Sequence, residues 1–485
     1  MKKRSKKEET KLQEEIKKYQ NLPRKDRRKK ERELQKQFHN KTITIKSGKK
    51  FTKSEALSRT ERRMLLKDKN FLNDLRKIIR KYLPDLTKLF DNLTDKRHKS
   101  YITYKMRTIM MTRLFALLCG ITTMTEINSK FNTEQAIKNL SIICDQELKE
   151  IPNWQTIQDV IETLNYQEIE EIRKYIFTTL LRSKMFDRFR YNGCIQLIVD
   201  ATGLTALDYN LNNNCLTRTR DGKVKYYKYV LEAKVVFGKF VISIDSEWIE
   251  NTDMNTEKQK QDCETNAFKR MASRIKKNYP KLKFIVTGDA LYATTPMIDI
   301  CEDNKWYYIF NLKQNRLKTV FEQFEDNIHD QNEVTKENYF LSSEITFKEN
   351  TFNAFRYIET KHKKTTIFNY ISNLPIDNYN IDQIVAMGRR RWKIENEGFN
   401  EQKNGTFNIS HLCSRHENAL KIHYLFIQIA HTIRQLLEYG LASVKEVKSF
   451  VTKKEISIFI INSLISSTIT NLESSDLNFQ LRFDG

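Results

Sequence analysis

The sequence predicts a mixed α/β fold, because a helical pattern gives way near Tyr191 to strands that alternate with helices. Residues 194–200 form a near-continuous apolar run, which is typical of a strand buried on both faces. Two β-rich stretches follow, KYVLEAKVVF and KFVISIDSEWI, with a turn centred on Gly238 between them. A helix over residues 257–277, a strand ending at Asp289, another helix and the strand WYYIFNLK come next. This order indicates one mixed sheet with helices packed on it.

Helical patterns flank the α/β part on both sides. Apolar residues such as Leu72, Leu75 and Ile79 recur at three-to-four spacing between residues 62 and 189, and Asn153 is a predicted N-cap for WQTIQDVIETL. This region fits a DNA-binding helix-turn-helix arrangement and an ordinary helical bundle equally well. Residues 315–374 are polar and β-prone. Three further helical segments are predicted, over residues 382–404, 416–439 and 455–472.

The composition excludes several classes of protein and favours a polyanionic partner. With 39% hydrophobic residues, 12 Gly and 6 Pro in 485 residues, the chain is neither collagen-like nor wholly disordered. Its net charge is +24, and residues 1–80 alone contain 29 Lys and Arg against 11 Asp and Glu. A cationic arm at one end favours nucleic acid or an acidic membrane surface, although such runs are also common as solvated charged helices.

Cysteine usage and hydropathy indicate a cytoplasmic protein without a membrane anchor. The seven cysteines form no CxxC pair, and their odd number argues against a disulfide framework. The N-terminus is charged where a signal peptide needs an apolar segment. Residues 456–472 are uncharged but contain Ser, Thr and Asn, so they fall short of a membrane span.

Two aspartates follow apolar strands and are the first candidate site residues. The strand before Asp200 gives VDATG, and the strand before Asp289 gives GDALY. A carboxylate at the end of a buried strand needs a cation, a capped backbone or a metal ion. If the two strands are neighbours, the pair could hold a divalent metal; otherwise each aspartate simply caps the loop that follows.

The helical segment RRRWKIENEGFNEQK supplies the next candidates. Arg391 and Glu395 are i,i+4 neighbours, and Gln402, seven residues further on, is predicted on the same stripe. Glu397 should project about 200° away from Glu395, toward solvent or a neighbouring domain. An Arg–Glu pair of this kind is also the usual form of a surface ion pair, so the spacing alone does not decide its role.

Taken together, these segments resemble the DDE transposases of bacterial insertion sequences, the cut-and-paste class with an RNase H-like catalytic domain. The resemblance rests on VDATG, KQDCETNAFKR, GDALYATTP and RRRWKIENEGFN, in that order. It implies that Asp200, Asp289 and Glu395 are the catalytic acids and metal ligands, with separations of 89 and 106 residues. Carboxylate ligands of this kind suit Mg²⁺ or Mn²⁺.

The class also carries a Tyr, Arg, Glu, Lys signature on its last helix. Arg391 and Glu395 fit it, whereas Gly388 stands at the Tyr position and Gln402 at the Lys position, with Lys403 one step late. The resemblance implies that DNA is contacted by four residues of this segment: Arg390, Arg391, Trp392 and Lys403. Arg391 or Arg390 would hold a phosphate and Trp392 would stack on an unpaired base. Core packing is the alternative for Trp392.

The resemblance divides the chain into five parts. These are a basic arm (1–60), a helical, DNA-binding region (61–189), an RNase H-like catalytic core (190–314 and 375–440), a β-rich insertion (315–374) and a helical C-terminal region (441–485). It implies an enzyme that binds terminal inverted repeats, cleaves DNA with two metal ions and transfers the 3′ ends to target DNA. The partner would be double-stranded DNA, held by a homodimer near the nucleoid, with no membrane involved.

Three other functions remain open at this point. A domesticated or inactive derivative would bind DNA without cutting it, and an RNase H-like nuclease would cut without strand transfer. An RNA-binding basic protein would leave Asp200 and Asp289 unexplained. His411, Cys413 and His416 lack a second ligand pair for zinc, and the sequence has no GxGxxG, Walker or GxSxG motif.

Overall fold

The computed structural model describes residues 60–61, 64, 66, 69–251, 262–330, 334–336, 338–362, 364–442, 444–445 and 451–483. Contacts between Cα atoms divide the chain into Met1–Lys69 and Asn70–Gly485, and the fold described below is that of the second part. The basic arm predicted over residues 1–60 lies outside the described residues, except for residue 60.

Within residues 69–194, which the structure describes throughout, seven α-helices precede the first strand, as the helical pattern predicts. They are α1 (Phe71–Tyr82), α2 (Leu86–Asp91), α3 (Met106–Leu118), α4 (Thr125–Phe131), α5 (Glu134–Cys144), α6 (Trp154–Thr163) and α7 (Tyr166–Arg182). The predicted N-cap of α6 is confirmed, since the Asn153 side chain accepts a hydrogen bond from the backbone N–H of Gln155 at 3.0 Å. Helix α3 is buried almost all round, which places it at the centre of this helical part.

A ten-stranded mixed sheet forms the centre of the α/β part, and the predicted fold class is confirmed. The strands are β1 (Ile195–Leu207), β2 (Leu216–Arg220), β3 (Lys223–Phe237), β4 (Phe240–Ile249), β5 (Phe284–Gly288), β6 (Tyr307–Asn311), β7 (Val334–Lys336), β8 (Tyr339–Phe347), β9 (Asn350–Lys361) and β10 (Lys364–Ser372). Their order is β2-β3-β1-β5-β6-β10-β9-β8-β7, with β4 paired to β3. Strand β5 is parallel to both of its neighbours, β1 and β6, and the remaining pairs are antiparallel.

Strand β2, the short strand β7 and helix α10 of this part were not predicted. Strand β2 is polar and lacks an apolar alternation, but the Asp221–Gly222 turn that joins it to β3 has positive φ at both residues, as expected of a tight hairpin. Helix α10 (Lys318–Asp330) lies within the segment predicted to be β-prone. The predicted strands of that segment are present as β8, β9 and β10, and β10 pairs with β6, so they extend the central sheet.

The remaining helices pack against the sheet and the N-terminal helices. They are α8 (Glu264–Asn278), α9 (Thr295–Asp303), α11 (Ile381–Arg390), α12 (Glu401–Asn404), α13 (Glu417–Gln435) and α14 (Lys453–Ser466). The predicted start of α8 at residue 257 lies outside the described residues. No helix of the described part of the chain is both long and apolar enough to cross a membrane.

The single helix predicted over residues 382–404 is wrong, because the helix changes type after α11. The N–H of Arg391 bonds to the carbonyl of Gly388, the N–H of Ile394 bonds to that of Arg391, and a π-helix then spans Ile394–Asn400. Ile394 and Phe399 lie five residues apart and pack together against Ile198 of β1. A five-residue apolar spacing suits the wider turn of a π-helix, and this explains the change.

Candidate active site

Asp200 and Asp289 are brought together by two neighbouring parallel strands. The register between β1 and β5 ends at Ile198 opposite Thr287, and two further residues along each chain reach the aspartates. The prediction that Asp200 ends its strand is wrong: β1 continues to Leu207, because its pairing with β3 extends past the end of β5. Asp200 therefore lies within a strand, at the point where one of its neighbours stops.

Both aspartates also cap the backbone that follows them. Asp289 Oδ1 accepts a hydrogen bond from the N–H of Leu291 at 2.8 Å, and Asp200 Oδ1 accepts one from the N–H of Ala201 at 3.0 Å. The capping interpretation and the metal-binding interpretation therefore do not exclude each other. In Asp200, the second carboxylate oxygen, Oδ2, is the one that faces Arg391, just after α11.

Arg391 joins the first acid to the third. Its Nη1 lies 3.4 Å from Asp200 Oδ2 and 3.2 Å from Glu395 Oε1, which confirms the predicted i,i+4 contact. The Arg391 side chain is only 7% exposed, and its Nε is buried without a hydrogen-bond partner in the described part of the chain. The space between Asp200 and Glu395 therefore favours a positive charge, which the Arg391 guanidinium supplies.

The charge environment of Asp200 is strongly perturbed. Burial raises the pKa of Asp200 to about 7, and the negative charges of Glu264, Glu395 and Asp289 act in the same direction, while Arg391 opposes them. A carboxyl that titrates near neutrality beside other carboxylates is typical of a functional site. Any cation that entered between these groups would relieve their mutual repulsion.

Glu264 is a fourth carboxylate of this site, and the sequence analysis assigned it no role. It is the first residue of α8, and its Oε2 accepts a hydrogen bond from the hydroxyl of the fully buried Tyr292 at 3.3 Å. Burial and the charge of Asp289 raise its pKa. Glu264 lies in KQDCETNAFKR, one of the segments on which the resemblance rests. The sequence offers no reason to choose Glu264 from the other residues of that segment.

The three arginines and the tryptophan of RRRW have different surroundings. Arg389 makes two hydrogen bonds to Glu359 of β9, at 2.7 and 3.0 Å, and so holds α11 to the sheet. Arg390 is exposed and has no acidic partner among the described residues. Trp392 is 51% exposed, with the Arg391 guanidinium 4.7 Å from its ring centroid. Core packing of Trp392 is therefore wrong, and its ring is accessible to a partner.

The π-helix changes which of Gln402 and Lys403 faces the acids. Gln402 is fully buried, where its amide bonds to Gln428 at 2.7 Å and to Lys234 of β3 at 3.2 Å. The prediction that Gln402 shares the stripe of Arg391 and Glu395 is therefore wrong, because the Gln402 side chain points into the core. The charge of Asp200 acts on Lys403 instead, raising its pKa against the larger lowering effect of burial. A turn of π-helix holds one more residue than a turn of α-helix. Lys403, one residue after the Lys position of the signature, is therefore expected on the face that an unbroken α-helix would give to residue 402.

Comparison with known protein families agrees with this geometry. The model described as Transposase DDE domain group 1 matches residues 251–453, and the model described as DDE_Tnp_1-associated matches residues 87–175. Together they cover more than half of the chain. The chain belongs to the DDE transposases. No curated protein matches it significantly.

The transposase is accordingly an enzyme that cleaves nucleic acid, and its partner is DNA. Asp289 and Glu395 fall inside the first match, and Asp200 precedes it.

Gly388, at the Tyr position of the family signature, has a packing reason to be glycine. A Cβ at this position would lie 2.8 Å from Cε1 of the buried Tyr370 on β10 and 3.2 Å from Cγ2 of Ile309 on β6. The ring of Tyr370 therefore fills the space beside the helix. A larger residue at position 388 would push α11 away from the sheet, and Arg391 with it.

The donor set of the transposase fits the divalent metal ions that its family uses. In this conformation, no three His, Cys, Asp or Glu side chains within the described ranges are grouped closely enough to hold an ion. The carboxylates nevertheless act on one another, as the raised pKa of Asp200 indicates, and oxygen donors of this type are those that Mg²⁺ and Mn²⁺ prefer. Arg391 is the cation that now lies between two of them.

Asp200→Asn is expected to stabilise the metal-free transposase above neutral pH. The folded pKa of about 7 exceeds the unfolded value, so the folded protein binds this proton more tightly and the free energy of unfolding falls as pH rises from about 4 to about 7. Asparagine removes that penalty, which is on the order of 3 kcal/mol. Urea unfolding in EDTA should show the gain at pH 8 and none below pH 4.

Asp95→Asn is a control of opposite sign. The hydrogen bonds from Arg97 lower the pKa of Asp95, so its contribution to stability is present above the unfolded pKa and is lost as pH falls. This variant should be less stable than the parent at pH 8. If Asp200→Asn were also less stable at pH 8, the repulsion described for the acidic site would be wrong.

Proposed function

We propose that the transposase binds the terminal inverted repeats of its element, cleaves their phosphodiester bonds with two Mg²⁺ or Mn²⁺ ions, and joins the freed 3′ ends to target DNA. The observation that carries this proposal is the convergence of Asp200 and Asp289, on neighbouring parallel strands, with Glu395 linked to Asp200 through Arg391. These three acids are the proposed catalytic residues.

Asp200, Asp289 and Glu395 are also the proposed metal ligands, and Glu264 is close enough to influence the first of them. Two bound ions would activate the attacking water or 3′-hydroxyl and stabilise the leaving oxygen. Carboxylates that have given up their protons bind such ions best, so activity should rise with pH until Asp200 is ionised.

The cations around the acids are proposed to hold the DNA backbone. Arg391 has an unpartnered buried Nε and long contacts to two carboxylates, so it is suited to exchange them for a phosphate oxygen. Arg390 is exposed beside it, and Lys403 lies within the field of Asp200. The exposed ring of Trp392 is proposed to stack on a base that is unpaired near the cut.

The domain assignments and the oligomeric state belong to the same proposal. The basic arm (1–60) would supply phosphate contacts, the helical region (61–189) would bind the repeat, and two copies of the chain would pair two element ends. The catalytic core (190–314 and 375–440) would carry the β-rich insertion (315–374) and precede a helical C-terminal region (441–485).

Strand transfer is tested with a labelled duplex that ends in the element's terminal repeat, mixed with a supercoiled target plasmid and Mg²⁺. We expect a nick at the repeat boundary and a covalent product that joins the labelled 3′ end to the plasmid. Cleavage without joining would make the protein a nuclease. Specific binding without any cleavage would make it an inactive DNA-binding derivative.

A further inference from the structure

The β2–β3 hairpin carries a row of cationic and aromatic side chains outside the acidic site. Because side chains alternate along a strand, Lys223, Lys225, Tyr227 and Tyr229 of β3 share one face, and Arg218 of β2 lies opposite Lys225 on the same face. We call these five residues the hairpin face. Its distal part is exposed, and β1 pairs with β3 only as far as Leu207 opposite Tyr226, so the tip projects beyond the end of β1.

Arg218 is the centre of the hairpin face. Its guanidinium carbon lies 5.4 Å from the ring centroids of both Tyr227 and Tyr229, and those two rings are 6.0 Å apart. Within the described ranges, Arg218 and Lys223 have no acidic partner, whereas Lys225 is paired with Asp208. Two aromatic rings hold the guanidinium in place, and because no carboxylate of the described residues is paired with it, its N–H groups remain available to a phosphate.

The hairpin face is continuous with the strand that carries Asp200. Gly203 lies opposite Tyr229, and a Cβ at Gly203 would be 3.2 Å from the tyrosine ring, so the ring rests directly on the backbone of β1. Strand β1 extends from Asp200 to Leu207 with no β5 residue beside it, because the pairing of β1 with β5 ends at Ile198. Because Asp200 pairs with Glu232, three residues from Tyr229, Asp200 and the hairpin face lie on opposite faces of the sheet, so DNA that contacts both would pass around this open edge.

We propose that the hairpin face binds the backbone of the duplex whose scissile phosphate lies at Asp200. Strand rise is about 3.3 Å per residue, so the face begins roughly 10 Å from Asp200, opposite Gly203, and ends roughly 30 Å away, at Lys223. At about 3.4 Å per base pair this corresponds to about three to nine base pairs from the cut. Charge favours DNA as the occupant, and Arg218 beside the two rings makes the face unsuitable for an apolar partner.

The inference rests on the proposed function for the position of the cut, but phosphate binding by the face can be measured separately. We would titrate a random-sequence 30-base-pair duplex, which needs no knowledge of the repeat, over a salt series without divalent metal. The double variant Arg218→Ala, Lys223→Ala should bind about tenfold more weakly at 0.1 M salt, with the slope of log K against log[salt] smaller by one to two. Its melting temperature should equal that of the parent.

Lys348→Ala is the matched control. Lys348 is exposed at the turn between β8 and β9, with its Nζ 5.7 Å from the centroid of a neighbouring aromatic ring, Phe347, on the other side of the sheet. Its removal should leave both affinity and salt slope unchanged. Equal losses in the double variant and in the control would mean that the hairpin face contributes only its charge to a diffuse field, and the proposed surface would be wrong.

The place where the hairpin face contacts the DNA, relative to the cut, is tested by hydroxyl-radical footprinting on a duplex that carries the element's end. We expect protection about three to nine base pairs from the cut in the parent and in Lys348→Ala, and loss of that protection alone in the double variant. An unchanged footprint would overturn the proposal. Loss of binding to a single-stranded 30-mer with duplex binding retained would assign the face to an unpaired strand instead. A parent that binds and shows the footprint but never cuts would contradict the proposed function and not this surface.

Discussion

Asp200→Asn and Asp289→Asn should each reduce Mg²⁺-dependent DNA cleavage by at least about a thousandfold, because each removes a negatively charged metal ligand from the proposed site. The amide keeps the shape of the side chain and one oxygen acceptor. The cap on the N–H of Leu291 by Asp289 and the cap on the N–H of Ala201 by Asp200 can therefore be retained. The measurement is the rate of nicking of repeat-containing DNA in Mg²⁺, with DNA affinity determined in parallel.

Asp303→Asn controls for the amide substitution itself. Asp303 is the last residue of α9 and is exposed, so its neutralisation should leave the cleavage rate within about twofold of the parent. DNA affinity of the two active-site variants should stay near that of the parent, since the removed charges repel phosphate. Cleavage by either Asp200→Asn or Asp289→Asn at a rate near that of the parent would remove that aspartate from the catalytic set.

Glu395→Gln should abolish cleavage to a similar extent, whereas Glu397→Gln should retain most of it. The two residues form a matched pair on the π-helix: Glu395 Oε1 lies 3.2 Å from Arg391 Nη1, and Glu397 Oε1 lies 3.3 Å from Lys393 Nζ. Their side chains are partly exposed to similar degrees, so general destabilisation would affect both alike. Only Glu395 is connected through Arg391 to Asp200. Single-turnover cleavage rates of the two variants give the comparison.

The reverse outcome has a definite meaning. If Glu397→Gln were inactive and Glu395→Gln active, the π-helix would present the opposite side to the aspartates during catalysis. Glu397 has a buried Oε2 without a hydrogen-bond partner in the described part of the chain, so it is the carboxylate available for such a rearrangement. The roles proposed for Arg391 and Trp392 would then be wrong as well.

The residues that the sequence could predict are those whose surroundings are local in the chain or set by simple periodicity. The apolar runs before Asp200 and Asp289 predicted their strands, and the i,i+4 spacing predicted the contact between Arg391 and Glu395. Parallel pairing of β1 with β5 was left open, because strands β2, β3 and β4 and helix α8 separate the two in the chain, and only the structure shows them as neighbours.

Other features depend on contacts that local spacing does not encode. The π-helix exists because Ile394 and Phe399 pack on β1, and an α-helical period applied across it placed Gln402 on the wrong face. Glu264 became part of the site only when α8 placed its first residue beside Asp289 and Tyr292. The length of β1 beyond Asp200 depends on β3, whose pairing partner could not be read from an apolar run.

The site that unites Asp200, Asp289 and Glu395 is tested most directly by metal-mapped cleavage of the polypeptide. Fe²⁺ occupies oxygen-ligand sites that take Mg²⁺ or Mn²⁺, and with ascorbate and peroxide it cuts the backbone close to where it is bound. In the DNA-bound protein we expect cuts near residues 200, 289 and 395, all suppressed by excess Mg²⁺ and all lost in Asp200→Asn. Cuts at only one of these positions, or elsewhere and insensitive to Mg²⁺, would contradict a metal site built from the three acids.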